Sequence, residues 1–254
     1  MMLALIGAFA AIWAALESLA RRLPRLEPTC RRLVRARTCL ARITAATPGT
    51  TIYLAVLIVT ITEQAQLSTR LATAIARRSS TNVYLLTSRP LDVLTTSAFW
   101  LDNPGIGSVA LLAQFVVVLV LLEATLGTGR WLITIVAGHV GASLIVGFGL
   151  WFAIRHHWID ARIARTTDVG ISYGLTAATV TLILGLRGRV RLVLLALTVA
   201  RLGLGVARTS SFTDVGHILA GLFGAVAYLA FKRPHLHPAT FWADVTATPV
   251  THGT

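Results

Sequence analysis

The chain has 254 residues, 55% of them hydrophobic and only 13% charged, with a formal net charge of +13. Soluble domains carry about 25% charged residues, so this composition excludes an ordinary soluble fold and points to a polytopic helical membrane protein. The basic excess does not imply nucleic acid. Much of it flanks apolar segments, where positive charge sets topology and meets anionic headgroups.

Residues 1–19 are apolar but begin with no basic residue; Arg21, Arg22 and Arg25 follow instead, the reverse of a secretory signal. The segment reads either as an extra N-terminal helix that starts outside or as an interfacial helix. Residues 21–42 hold eight arginines against the single acid Glu27, which makes this stretch cytoplasmic by the positive-inside rule. Cys30 and Cys39 lie within it without a partner cluster, so neither a disulfide framework nor a metal site is expected. The expected organisation is an N-terminal region over 1–47, a transmembrane domain over 48–232, and a tail over 233–254. The tail is rich in Pro, Thr and His and reads as a flexible cytoplasmic end, with His235 and His237 solvated.

Six apolar segments are expected near 50–66, 105–123, 131–153, 169–186, 192–207 and 215–231. The first ends in the polar run Glu63-Gln64-Ala65-Gln66. The fifth carries Arg201, which must face protein or water, or snorkel. Counting from a cytoplasmic residue 42, residues 67–104, 154–168 and 208–214 lie outside. The loops 124–130 and 187–191 and the tail from Lys232 lie inside. Arg187, Arg189, Arg191, Lys232 and Arg233 agree with this orientation, whereas Arg155, Arg162 and Arg165 stand outside against the rule. The expected location is a bacterial plasma membrane, crossed several times.

The fourth and sixth segments run in the same direction and open on the echo Thr167-Asp168-Val169-Gly170 and Thr213-Asp214-Val215-Gly216. Asp168 and Asp214 are candidate N-caps there. Ser172 falls three residues past the expected start of one segment, and His217 two past the start of the other. Both then lie within about 5 Å of their helix starts, on one face of the membrane. A serine becomes a nucleophile when a base takes its proton, and a neutral imidazole can do so. Gly170 and Gly174 allow close helix approach. The plainer reading stands beside this one: a membrane serine often bonds its own backbone, and a lone histidine packs or caps. The run Gly170-Ile171-Ser172-Tyr173-Gly174 also fits Gly-x-Ser-x-Gly, but that elbow needs a strand before the serine, and the surroundings here are an apolar helix. His139 and Ser143 lie one turn apart in the third segment. His139 is read as a packing residue or a hydrogen bond to a neighbouring helix.

Over residues 88–231 the chain resembles the rhomboid superfamily of intramembrane serine proteases. Pro90 to Phe99 resembles the external segment leading into the second helix. Glu123-Ala124-Thr125-Leu126-Gly127, with Arg130 soon after, resembles the Glu-x-x-x-Gly turn between helices two and three. Gly170-Ile171-Ser172 falls on the Gly-x-Ser of the fourth helix, and His217 with Ala220 and Gly224 falls on the sixth-helix histidine and its small residues. The resemblance implies an all-α, rhomboid-like bundle of six transmembrane helices, with Ser172 as nucleophile and His217 as base. It implies no metal and no cofactor, transmembrane protein substrates or clients within the lipid bilayer, and no nucleic acid. Gly170, Gln114, Asp214 and Glu123 are expected as oxyanion or structural support.

The chain also departs from the pattern. Tyr173 stands where Gly-x-Ser-Gly has its last glycine. The His-x-x-x-Asn of the second helix falls on Gly107 and Leu111, and Leu91 and Asp92 replace the external Trp-Arg pair. Ser108 and Gln114 are the polar side chains left in the second segment, with Gln114 nearly one turn deeper than Leu111. A missing oxyanion donor costs about 10²–10³ in rate. Two functions follow: a protease cutting a transmembrane segment near the outer face, or a catalytically inactive relative that binds membrane segments and controls their folding or trafficking. A small transporter is disfavoured, because no paired broken helices are evident.

Overall fold

The structure is a computed structural model that describes residues 11, 14, 15, 18, 27–101, 106–169, 171–209, 211–232 and 238–247. Among them there is no strand. The helices are α1 (Glu27–Ala46), α2 (Pro48–Gln66), α3 (Thr69–Arg78), α4 (Val83–Ser88), α5 (Pro90–Thr96), α6 (Ile106–Leu126), α7 (Thr128–Arg155), α8 (Ser172–Gly185), α9 (Gly188–Thr209), α10 (Phe212–Ala230) and α11 (Pro238–Thr246). Short 3-10 turns cover Ser97–Phe99 and Ala161–Arg165. By length and composition, Thr128–Arg155, Gly188–Arg208 and Phe212–Ala230 can each cross a membrane; Leu111–Leu126 and Ser172–Gly185 are apolar but shorter. The protein is an integral multi-pass membrane protein.

The chain forms two compact units, Gly49–His237 and the flanking Met1–Pro48 with Pro238–Thr254. In the flanking unit the Arg42 guanidinium donates to the carbonyls of Asp244, Val245 and Ala247 at the end of α11. A cation there satisfies carbonyls that the helix itself leaves open. Part of the tail expected to be flexible is therefore helical and bonded. The expected helix in residues 1–19 lies almost entirely outside the described residues.

The larger unit is organised around α8, which is apolar on all sides. Its residues Leu175, Ala178 and Leu182, with Ile171, fit against Phe115, Leu119, Leu122 and Leu126 of α6 and Trp131 and Ile135 of α7. Both sets recur at three- and four-residue spacing, which places each on one helix face. The opposite side of α8 meets α10. Lipid chains give apolar helices no solvent-driven reason to associate, so close backbone packing and interhelical hydrogen bonds must hold them together. Small residues provide that packing. A Cβ on Gly224 of α10 would strike the Ala177 backbone of α8, and one on Gly216 would strike the Tyr173 ring. Gly138 of α7 is closed in the same way by Ala177, and Gly174 of α8 by Ile135 of α7. The Thr181 hydroxyl donates across the seam to the Gly224 carbonyl at 2.8 Å.

Candidate functional site at the starts of helices α8 and α10

Helix α10 starts at Phe212, earlier than the expected 215, because Ser211 is the N-cap: its side chain accepts from Thr213 N at 3.2 Å. Asp214 is therefore in the first turn, where a carboxylate still favours the helix dipole. Helix α8 starts at Ser172, later than the expected 169, with Ile171 as an N-cap that makes no side-chain bond. Neither aspartate is the cap that the sequence pattern suggested. Ser172 is thus the first residue of its helix, while His217 is well inside its own, so counting from the two starts does not match their depths.

Packing relates them instead. Gly216 meets Tyr173, and Thr181 bonds Gly224, at the same sequence offset of 43. Gly221 meets Val180 at an offset of 41 and Gly224 meets Ala177 at 47, so the helices run parallel without one fixed register. These offsets set His217 within about one helical turn of Ser172 in depth. Ser172 and His217 are both half-buried. Among the described residues no hydrogen bond joins the Ser172 hydroxyl to the His217 ring.

The aromatic side chain against His217 is Tyr173. The two rings meet edge-to-face, with centroids 5.0 Å apart and planes at 80°. Neighbouring helix residues project about 100° apart, so the ring that faces α10 turns Ser172 to the side of this contact. Tyr173 is 2% exposed, and its hydroxyl donates to Asp168 Oδ2 at 3.0 Å. Asp168 in turn accepts from Thr81 Oγ1, and its N–H donates to Ser80 Oγ at 2.8 Å. Tyr173 therefore ties both helix starts to the 79–82 segment, in which Ser79 to Asn82 are all buried. Sequence reasoning treated Tyr173 only as a departure from a glycine. The signal for its role was Gly216, the small residue that makes room for the ring.

The supporting residues separate in space. Asp214 packs its carboxylate against Gly205 of α9. Arg201 and Asp214 are the charged groups that act on the His217 imidazole. Gly174 brings α8 close to α7 and not to α10, while Gly170 lies outside the described residues. Gln114 is exposed on α6, and Leu111 packs into the α6–α8 core. The side chains at 107 and 108 lie outside the described residues. Glu123 is 1% exposed, and its carboxylate accepts from Gly49 N at 2.8 Å, Thr50 N at 2.6 Å and Thr128 Oγ1 at 2.7 Å. It closes the open N–H groups at the start of α2 and braces the turn at Gly127, whose φ of 75° favours glycine.

A serine–histidine contact is found elsewhere, buried in the fold. His139 Nε2 is 3.1 Å from Ser97 Oγ and 3.0 Å from the Leu94 carbonyl. A carbonyl only accepts, so the proton belongs on Nε2, and in that tautomer the ring cannot take a proton from Ser97 through the same atom. The contact fixes the 94–99 segment to α7. Nδ1 of His139 and Oγ of Ser143, one turn apart on α7, are buried without a partner.

A family model described as rhomboid-like protein matches residues 42–235. No curated protein matches the chain, and no solved structure does.

Proposed function

The chain belongs to the rhomboid-like family, and on that premise we propose that it is an intramembrane serine protease whose dyad is Ser172 and His217. The bundle is read as six spans, α2 and α6 to α10, in a bacterial plasma membrane. The observation that supports this reading is the close parallel packing of α8 on α10, which sets His217 within about one helical turn of Ser172 in depth on the adjoining helix. Catalytic hydrogen bonds are often long in an empty enzyme and tighten with substrate bound.

In the proposed reaction, His217 takes the Ser172 proton as Oγ attacks a peptide carbonyl of a transmembrane segment. The imidazolium then gives that proton to the leaving amine. Water enters from the outer helix ends and, with the same base, hydrolyses the acyl ester. Tyr173 holds the imidazole edge-on, and Asp168 holds Tyr173. No metal and no cofactor take part in this scheme.

The second reading is a catalytically inactive rhomboid-like protein that binds membrane segments and controls their folding or trafficking. Two observations favour it: Tyr173 occupies the face of α8 next to His217, and Gln114, the polar stand-in on α6, is exposed.

Labelling of the detergent-purified protein with a fluorescent serine-directed phosphonate separates the two. The dyad predicts labelling of wild type that is lost in both Ser172→Ala and His217→Ala. A folded wild type that takes no label, and cuts no model transmembrane segment, supports the binding role instead.

A further inference from the structure

The external arginines are left unused by the dyad. Positive charge outside the membrane opposes the usual topological bias, so its clustering needs a reason. Arg77, Arg78 and Arg165 line one open cleft of about 610 Å3, together with Asn82, Thr166 and Thr167. One wall comes from the end of α3 and the turn into α4. The other comes from the 3-10 turn Ala161–Arg165 and its exit. The walls are fastened to each other by Thr81 N donating to Asp168 O at 2.9 Å and by the Asp168 N–H on Ser80 Oγ.

Among the described residues, no carboxylate lines the cleft. The nearby acids are engaged elsewhere. Asp168 accepts from Tyr173 and Thr81. Asp160 accepts from Arg162 N at 2.7 Å, and Asp92 pairs with Arg89 at 3.0 Å. Among the described residues, none of the three cleft arginines makes an ion pair. Arg77 and Arg78 lie in the last turn of α3, where cations suit the helix dipole. That role does not account for Arg165, which comes from another stretch. Its guanidinium lies over the Tyr84 ring at 5.0 Å, a stacking that orients the planar fork. Asn82 Oδ1 caps α4 by accepting from Leu85 N at 3.0 Å, so the rest of that amide is a donor. The threonine hydroxyls add further donors. Guanidinium forks, an amide N–H and hydroxyls with no opposing acid form a receptor for phosphate oxygens.

We propose that this cleft binds a phosphate group, supplied by the headgroup of an anionic lipid at the outer membrane surface. The cleft's level supports the lipid source. Trp158, 70% exposed, packs with Phe152 and His156 at the end of α7, just before the 3-10 turn that carries Arg165. Exposed tryptophan at a span's end marks the headgroup layer.

The test is native mass spectrometry of the full-length protein in detergent, with phosphatidylglycerol or phosphatidylcholine added, and with inorganic phosphate as competitor. Phosphatidylglycerol is expected to be retained over phosphatidylcholine. Each cation near a membrane surface is worth about a fivefold change in binding, so Arg77→Gln loses about fivefold and the triple Arg77→Gln/Arg78→Gln/Arg165→Gln about a hundredfold. Among the described residues the exposed Arg77 guanidinium makes no hydrogen bond or ring contact, so the single variant keeps the fold. The triple Arg187→Gln/Arg189→Gln/Arg191→Gln, at the turn before α9 and in its first turn, leaves binding unchanged. Displacement of the lipid by inorganic phosphate, sensitive to the same arginines, upholds the phosphate site and adds free phosphate as a ligand. Equal retention of the two lipids with no phosphate binding, or phosphatidylglycerol binding that survives the cleft triple, overturns the proposal.

Discussion

Helix α10 meets α8 through Gly216, Ala220 and Gly224, and 33% of its apolar window is buried; α9, which joins the two in sequence, buries none of its window. Both helices are long and apolar enough to span a membrane. What separates them is where small residues stand. Gly203 of α9 has nothing within 4 Å of the place its Cβ would take, whereas Gly224 of α10 has the Ala177 backbone. In lipid, apolar character keeps a helix in the bilayer but does not choose its neighbour. The neighbour is chosen by close approach, and the candidate site lies on the helix pair that has it.

Four substitutions break or sharpen this contrast. Gly224→Leu has the largest expected effect. A side chain cannot enter against helix backbone, so the loss should exceed the ~1–3 kcal/mol usual for overpacking and deplete the folded protein, read by thermal unfolding in detergent. Tyr173→Phe keeps the ring against His217 but removes the hydrogen bond to the Asp168 carboxylate. About 2 kcal/mol of stability should be lost, and phosphonate labelling of Ser172 should persist if the ring alone positions the imidazole. Labelling that disappears in this folded variant would show that the hydroxyl matters to the site. Thr181→Val deletes the hydrogen bond from α8 to the Gly224 carbonyl and should cost about 0.6 kcal/mol, typical of such bonds within a membrane. Gly203→Leu on α9 should shift unfolding least, by no more than about 0.5 kcal/mol. A large loss there would mean that α9 has a packing partner that the folded chain alone does not show.

Part of this was legible along the chain. The apolar runs near 131–153 and 192–207 correspond to α7 and α9, whose helices extend a few residues further at each end. Glycine and alanine at Ala220 and Gly224 were readable as small residues at four-residue spacing. The helix starts were not. Asp168 and Asp214 occupy equivalent places in a repeated tetrapeptide, yet Ser211 caps α10 and no side chain caps α8. A cap depends on the backbone angle of one residue, and identical local sequences meet different neighbours. The contact of His139 with Ser97 was equally hidden, because Ser97 arrives from a turn far away in sequence.

Composition, spacing and the ordered motifs by themselves determined that this is a multi-pass helical membrane protein of the rhomboid-like family, with Ser172 and His217 as the residues to examine. Only the tertiary structure decided that Tyr173 faces His217, that α8 and α10 pack closely in parallel, and that arginines from two separate stretches share one cleft. The physical reason lies in α8 itself. A helix that is apolar all round carries no hydropathy signal for its own rotation. Its orientation is set by which side chains fit the gaps that Gly216, Gly224 and Gly138 leave on its neighbours.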